Sequence, residues 1–120
     1  MTPQEMSREL AEKVLECRTR TTYGVKGEPV GFMFTLNGKR REWSPYKCDQ
    51  PTWSPFTSRD HCAELLGKLT DEQWGRVERA ILQVVLSDAK YTPSGGTLIR
   101  LALTATPAQI SEAVWRATCQ

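Results

Sequence analysis

Apolar residues recur at helical spacing in four stretches of the chain, and a helix-capping sequence precedes each stretch. TPQE at residues 2–5 and TPAQ at 106–109 each place proline at the first helical position and Glu or Gln three residues after the capping threonine. TDEQ at 70–73 is a third capping box, and Thr57 or Ser58 caps the remaining helix. ILQVVL at 81–86 also fits a strand, but the cap and the upstream periodicity favour a helix. The first helix is predicted to reach about residue 17. The apolar faces predicted for the four helices are, in chain order, Met6, Leu10, Val14 and Cys17; Cys62, Leu65, Leu66 and Leu69; Trp74, Val77, Ile81, Val84 and Val85; and Ile110, Ala113, Val114 and Ala117.

Period-two alternation predicts strands between the first and second helices and one more strand before the last helix. PVGFMFTL at 29–36 alternates in this way, and Asn37-Gly38 supplies the two positive-φ residues of a type I′ hairpin turn. KRREW at 39–43 is therefore predicted to return antiparallel to it. A shorter strand around Thr21–Val25 precedes the hairpin, and TLIRLAL at 97–103 is predicted as a last strand.

The tight turn also predicts the register of the hairpin. It pairs Leu36 with Lys39, Phe34 with Arg41 and Phe32 with Trp43. Trp43 thereby extends the apolar face formed by Val30, Phe32, Phe34 and Leu36, whereas Arg40 and Glu42 share the opposite face with Met33 and Thr35.

The order of elements indicates an α+β fold. Helices flank strands in the middle of the chain, which predicts a small layered sandwich of helices packed on a three- to four-stranded, mostly antiparallel sheet. With 120 residues, 25% of them charged and 39% hydrophobic, the chain is expected to form a single globular domain over residues 1–120.

Charge and cysteine usage narrow the function classes. A net charge of +2 does not by itself indicate nucleic-acid or membrane binding, so any basic site must be local. The sequence has no apolar run of bilayer-spanning length and no signal-peptide core, which favours the cytoplasm. Its four cysteines lack a C-x-x-C pair and are expected to be reduced. His61-Cys62 is the only neighbouring pair of metal-ligand residues, and adjacent helical positions chelate poorly, so no metal site is predicted.

The basic run Lys39, Arg40 and Arg41 is the first candidate site. Guanidinium groups match phosphate oxygens, so the run is interpreted either as an anion clamp or as charge that keeps an edge strand from pairing with other chains. The three side chains do not share one face, because Arg40 lies opposite Trp43, which weakens the case for one convergent patch.

The long segment 44–61 is the second candidate, because it is rich in proline and aromatic residues and has little periodicity. Tyr46, Trp53 and Phe56 are placed to stack on a base, with Lys47 and Arg59 near a phosphate at the start of a helix. The alternative is that Trp53 and Phe56 fold back over the core. The predicted ligand-binding residues are Arg40, Arg41, Trp43, Tyr46, Lys47, Trp53, Arg59 and His61.

Catalytic signatures are absent from the sequence. His61 has no evident nucleophile partner, and no nucleophile elbow or H-E-x-x-H sequence occurs. YTPSGGTL at 91–98 lacks the G-K-[ST] of a nucleotide loop and is predicted as a turn. We therefore expect a protein without enzyme activity or cofactor.

Two stretches of the second half carry a recognisable pattern: SPFTSRDHCAELLGKLTDEQW at 54–74 and LIRLALTATPAQISEAVWRATC at 98–119. FTSRD followed by Ala63, and ATPAQ followed by Glu112-Ala113, resemble the helix starts of the phage ABA sandwich domain, found in small proteins of phages and prophages. The hairpin lies outside the resemblance. The resemblance implies a sandwich fold, a phage or prophage origin and no enzyme activity.

Small accessory phage proteins often act by binding, and some of them bind nucleotide signals or proteins of host defence. The expected function is therefore anti-defence. Either the protein sequesters an anionic nucleotide signal in the host cytoplasm, or it blocks a host defence protein. The alternatives are an anti-CRISPR-like inhibitor that masks a host nucleic-acid-binding complex, and a small nucleic-acid-binding protein. A homo-oligomer is expected if a nucleotide is to be enclosed, because one small domain offers few concave surfaces.

Overall fold

A computed structural model describes residues 1–44, 53–88 and 104–119 of the chain. Within these residues the fold is α+β, as predicted, with four helices and a three-stranded antiparallel sheet. The elements are α1 (Pro3–Lys13), β1 (Arg20–Tyr23), β2 (Pro29–Leu36), β3 (Lys39–Trp43), α2 (Arg59–Leu66), α3 (Asp71–Asp88) and α4 (Pro107–Thr118). The predicted strand at 97–103 and turn at 91–98 lie outside the described residues.

The helices begin where the capping residues predict. The Thr70 side chain accepts a hydrogen bond from the backbone of Gln73 at 3.2 Å, and the Gln73 side chain accepts one from the backbone of Thr70 at 2.8 Å. Thr106 and Gln109 form the same reciprocal pair at 3.1 and 2.9 Å. Of the two candidate caps for α2, it is Ser58 that serves. These bonds satisfy backbone donors that a helix start would otherwise leave unpaired.

Helix α1 ends earlier than its apolar periodicity predicts. The periodicity predicts a helix end near residue 17. The helix instead stops at Lys13, and Glu16 adopts a φ of 55°. The N–H of Cys17 then bonds back to the carbonyl of Ala11 at 3.0 Å. Val14 and Leu15 stay buried beyond the helix end, so the apolar pattern continues after the helical conformation has stopped.

The hairpin has the predicted register. Leu36 pairs with Lys39, Phe34 with Arg41 and Phe32 with Trp43, and the turn residues Asn37 and Gly38 have φ values of 52° and 77°. Strand β1 adds to the other side of β2 in the order β1-β2-β3. The sheet thus has an inner face that carries Phe32 and an outer face that carries Met33.

One hydrophobic core joins the inner face of the sheet to the helices. Phe32, Phe34 and Leu36 are buried in the same cluster as residues from every helix. Helix α4 packs against α1, α2 and α3, while α1 packs against β2. Trp74, predicted on the apolar face of α3, is 38% exposed because the helix buries Val77, Ala80, Val84 and Val85 instead. None of the described helices is long and apolar enough to cross a bilayer.

Candidate functional site

The two hairpin arginines point to opposite faces of the sheet. Arg41 lies on the inner face and pairs with Glu64 of α2 at 3.1 Å, with about three-quarters of both side chains buried. Arg40 lies on the outer face, 3.7 Å from the Glu42 carboxylate. Their guanidinium groups therefore do not converge, and Arg41 is held by an ion pair that links the hairpin to α2. Lys39 is exposed at the turn.

The two candidate tryptophans pack against the phenylalanines of β2. Trp43 is half-buried and its ring stacks on Phe32 with centroids 6.3 Å apart. Trp53 is fully buried, with its ring edge-on to Phe34 at 5.1 Å. A ring with no exposed surface has no free face for a base, so the position of Trp53 matches the interpretation in which it covers the core.

Arg59 and His61 make hydrogen bonds that attach the start of α2 to other segments of the chain. The Arg59 guanidinium donates to the carbonyl of Ala105 at 3.0 Å, and Nδ1 of His61 accepts from the backbone N–H of Ser54 at 2.8 Å. The second bond places the proton of a neutral imidazole on Nε2. Tyr46 and Lys47, the other predicted ligand-binding residues, lie outside the described residues.

A buried polar cluster joins α2 to α4. The thiol of Cys62 donates to the carbonyl of Pro55 at 2.8 Å, and the hydroxyl of Ser111 donates to the same carbonyl at 2.6 Å. Burial raises the pKa of the Cys62 thiol, and the Ser111 hydrogen bond and the Arg59 charge lower it by less. The neighbours of this thiol are carbonyls and a hydroxyl, which do not take up its proton, so the cluster is suited to holding the fold rather than to nucleophilic catalysis.

Replacing Ser111 with alanine should lower the free energy of unfolding by about 1–3 kcal/mol, because it removes a buried donor from the Pro55 carbonyl. Urea unfolding followed by far-UV circular dichroism would measure the loss. Ser7→Ala is the matched control, since Ser7 is equally buried and donates to Pro3 at the same 2.6 Å, but within its own helix. Ser7 links no two segments, so that variant should change stability by less than about 0.5 kcal/mol, while the gain in helix propensity is the same in both variants because both serines lie inside helices. Equal losses in both variants would contradict the linking role of Ser111.

A basic groove that the sequence did not reveal lies between α1, α3 and α4. Arg76 and Arg79 of α3 and Arg116 of α4 line it together with the half-buried ring of Trp115 and with Met6. We call this surface, defined by Arg76, Arg79, Arg116 and Trp115, the arginine groove. It is open to solvent and has a volume of about 520 Å³.

The arginine groove carries an excess of positive charge. Glu112 is its one acidic lining residue, and it pairs with Arg116 at 3.0 Å. Glu72 lies 3.7 Å from Arg76 outside the groove lining. Among the described residues, Arg79 has no ion pair or hydrogen bond. The indole N–H of Trp115 donates to Glu9 at 2.7 Å, so the indole is left with its ring surface for contact with a ligand.

The sequence held a partial signal for this groove. Arg76 and Arg79 are three residues apart and therefore share one side of α3. Their neighbour Arg116 lies in a helix distant in sequence, and only the packing of α3 on α4 brings it close.

Within the described ranges, no group of three His, Cys, Asp or Glu side chains is placed to hold a metal ion. The chain matches no protein family, curated protein or solved structure with which it was compared.

Proposed function

We propose that the protein is a non-catalytic binding protein that sequesters a small anionic ligand of the nucleotide type in the arginine groove. The observation that carries this proposal is the convergence of three arginines beside a half-buried tryptophan ring, with one acidic side chain in the groove. Arginine is suited to the task because its planar guanidinium donates paired hydrogen bonds to phosphate oxygens.

The roles of the individual side chains follow from their contacts. Arg79 contacts the phosphate first, because binding by Arg79 breaks no existing ion pair among the described residues. Arg116 binds the phosphate next, once its ion pair with Glu112 has been replaced by the contact with the ligand. Trp115 offers its ring to a base, since its N–H is already bonded to Glu9.

The resemblance to phage ABA sandwich proteins supports a setting for this activity. A phage-encoded protein with such a groove would remove a nucleotide signal of host defence from the host cytoplasm. Because the groove is open, a second copy of the chain is proposed to cover a ligand held there. The predicted contributions of Arg40 and Trp43 to ligand binding do not enter this proposal.

A second candidate function is inhibition of a host defence protein by direct contact. Tyr23 and Val25, at the end of β1 and in the turn that follows, are 67% and 106% exposed. Exposed apolar side chains on a tight turn are suited to anchoring in a partner's pocket. This candidate predicts capture of a host protein that Tyr23→Ser weakens and that no nucleotide displaces.

The arginine groove proposal is tested by thermal unfolding with a panel of linear and cyclic nucleotides. A bound nucleotide at 100 times its Kd should stabilise the protein by about 2.7 kcal/mol and raise the Tm by several degrees. Arg79→Gln should weaken binding roughly ten- to a hundredfold, because it removes a hydrogen bond between charged groups. Lys68→Gln removes the same charge at an exposed position outside the groove and should bind as the wild type does. A panel that leaves the Tm unchanged would contradict the proposal.

Glu112→Gln gives the same experiment an arm of opposite sign. Glu112 competes with the ligand for Arg116, so removing its charge should tighten binding by roughly two- to fivefold. Glu78→Gln is its control, because Glu78 is exposed on α3, lies outside the groove lining and pairs with none of the groove arginines among the described residues. Weaker binding by Glu112→Gln would argue that the ligand is not an anion.

A further inference from the structure

The excess positive charge of the chain is concentrated in and around the sheet. Residues 13–41 contain seven Lys and Arg residues and two Asp and Glu residues, although the net charge of the whole chain is only +2. The sequence outside this segment is correspondingly acidic, with nine basic and twelve acidic residues. A uniform charge distribution would not produce this separation, so the sheet presents a local positive surface.

Four exposed basic residues cluster on or beside the outer face of the sheet. Arg20 of β1 is the cross-strand partner of Met33, and Arg40 of β3 is the partner of Thr35. The Arg40 guanidinium lies 3.8 Å from the sulfur of Met33. Arg18 joins Arg20, Met33 and Thr35 in lining a shallow groove of about 470 Å³. Lys39 alternates to the other face with its partner Leu36 but is exposed at the hairpin turn beside Arg40, and together with Arg18, Arg20 and Arg40 it completes what we call the basic sheet face.

Most of these charges are unused within the protein. Arg18, Arg20 and Lys39 have no ion pair or hydrogen bond in the part of the chain that the structure describes, and Arg40 has only the 3.7 Å contact with Glu42. Glu42 and Glu16 are the acidic residues adjoining the face, against four cations. Unpaired arginines offer a phosphate planar guanidinium groups that are already arranged for paired hydrogen bonds, so less side-chain entropy is lost for each bond formed.

The composition of the basic sheet face favours a nucleic acid over an acidic protein. A protein interface usually has a desolvated apolar centre with aromatic anchors, and among the described residues that line the groove beside the arginines only Met33 and Cys17 are both apolar and partly exposed. Contacts to nucleic acid are mainly polar contacts to phosphate and need no such centre. Strands β1 and β3 lie roughly 10 Å apart across β2, so Arg20 and Arg40 can reach different phosphates of one backbone.

We infer that the basic sheet face binds the phosphate backbone of nucleic acid, without reading its sequence. Arg18, Arg20, Arg40 and Lys39 supply the contacts. This site is distinct from the arginine groove, which lies among the helices.

The test is fluorescence anisotropy of labelled 20-nucleotide single-stranded DNA, single-stranded RNA and duplex DNA with the full chain. Contacts that neutralise two or three phosphates of a duplex should weaken binding roughly ten- to fortyfold between 50 and 200 mM salt. Arg20→Gln and Arg40→Gln should each reduce the slope of log affinity against log salt by about 0.9 for the duplex. Arg79→Gln, which removes one charge among the helices, should leave the slope unchanged.

Several results would overturn the inference. They are absence of binding to all three nucleic acids at 50 mM salt, and an equal reduction of the slope or a loss of DNA binding in Arg79→Gln, which would move the contact to the arginine groove. Displacement of DNA by poly-glutamate at equal charge concentration would assign the face to acidic proteins instead. Retention of DNA binding in Arg79→Gln together with its loss of nucleotide binding would support two separate sites.

Discussion

Trp53→Ala should lower the free energy of unfolding by about 3–5 kcal/mol, a loss large enough to leave a domain of this size marginally folded. Trp53 is fully buried between the phenylalanines of β2 and the start of α2, with its ring 5.1 Å from Phe34 and 6.5 Å from His61. Truncation would leave a cavity that these aromatic neighbours are too large and too constrained to fill. Urea unfolding, followed by circular dichroism because the variant loses a fluorophore, measures the change.

Two control variants separate the packing of Trp53 from other effects. Trp74→Ala removes an indole that is 38% exposed and should cost about 1 kcal/mol or less. Trp53→Phe keeps an aromatic ring and removes the Trp53 N–H, which is buried and has no hydrogen-bond partner among the described residues, so it should lose less stability than Trp53→Ala. If Trp53→Ala kept full stability but failed to bind nucleotide, the ring would be a ligand-stacking residue, as the aromatic loop first suggested.

The contrast between the hairpin and Trp53 shows what kind of information the sequence carries. The register of β2 and β3 follows from a two-residue turn, and a turn is a local property that Asn37-Gly38 determines almost alone. Caps at Thr70 and Thr106 are equally local. Whether Trp53 points inward depends on the space beneath it, which residues distant in sequence create, so loop composition left two interpretations open.

The arginine groove could not be predicted for the same physical reason. Helical periodicity indicates which side of α3 is apolar, but it does not identify the helix that packs beside it. Arg116 reaches the groove because α4 lies against α3 and α1 together. Likewise, the pairing of Arg41 with Glu64 joins residues 23 apart in sequence, and without it Arg41 would have remained a plausible member of an anion clamp.

The positions of the arginines support the proposal that the basic sheet face and the arginine groove take different ligands. The cations of the basic sheet face are mostly unpaired and stand on a sheet surface, which suits an extended polyanion. In the arginine groove, Arg76 and Arg116 already pair with glutamates on their own helices, and the groove is concave. A small anion that exchanges with those glutamates is the better match for such a surface. Arg79→Gln and Arg20→Gln should therefore affect different ligands.

Gly31→Ala should destabilise the protein by about 3 kcal/mol, near the top of the usual range for overpacking. A methyl group at this position would collide with the main-chain carbonyl of Trp43 and would lie 3.1 Å from the hydroxyl of Thr22. The main chain at the end of β3 passes directly over Gly31, and a carbonyl held by a strand cannot turn aside as a flexible side chain can. The constraint is one of space, and it explains why a strand interior holds a glycine despite its conformational entropy cost.

The matched control for Gly31→Ala is Gly75→Ala, the same chemical change made within α3. A methyl group on Gly75 would meet no atom within 4 Å, so this variant should gain about 0.5–1 kcal/mol from the higher helix propensity of alanine. Urea midpoints measured side by side should therefore move in opposite directions. Equal stability of Gly31→Ala and the wild type would mean that the Trp43 carbonyl does not lie over Gly31.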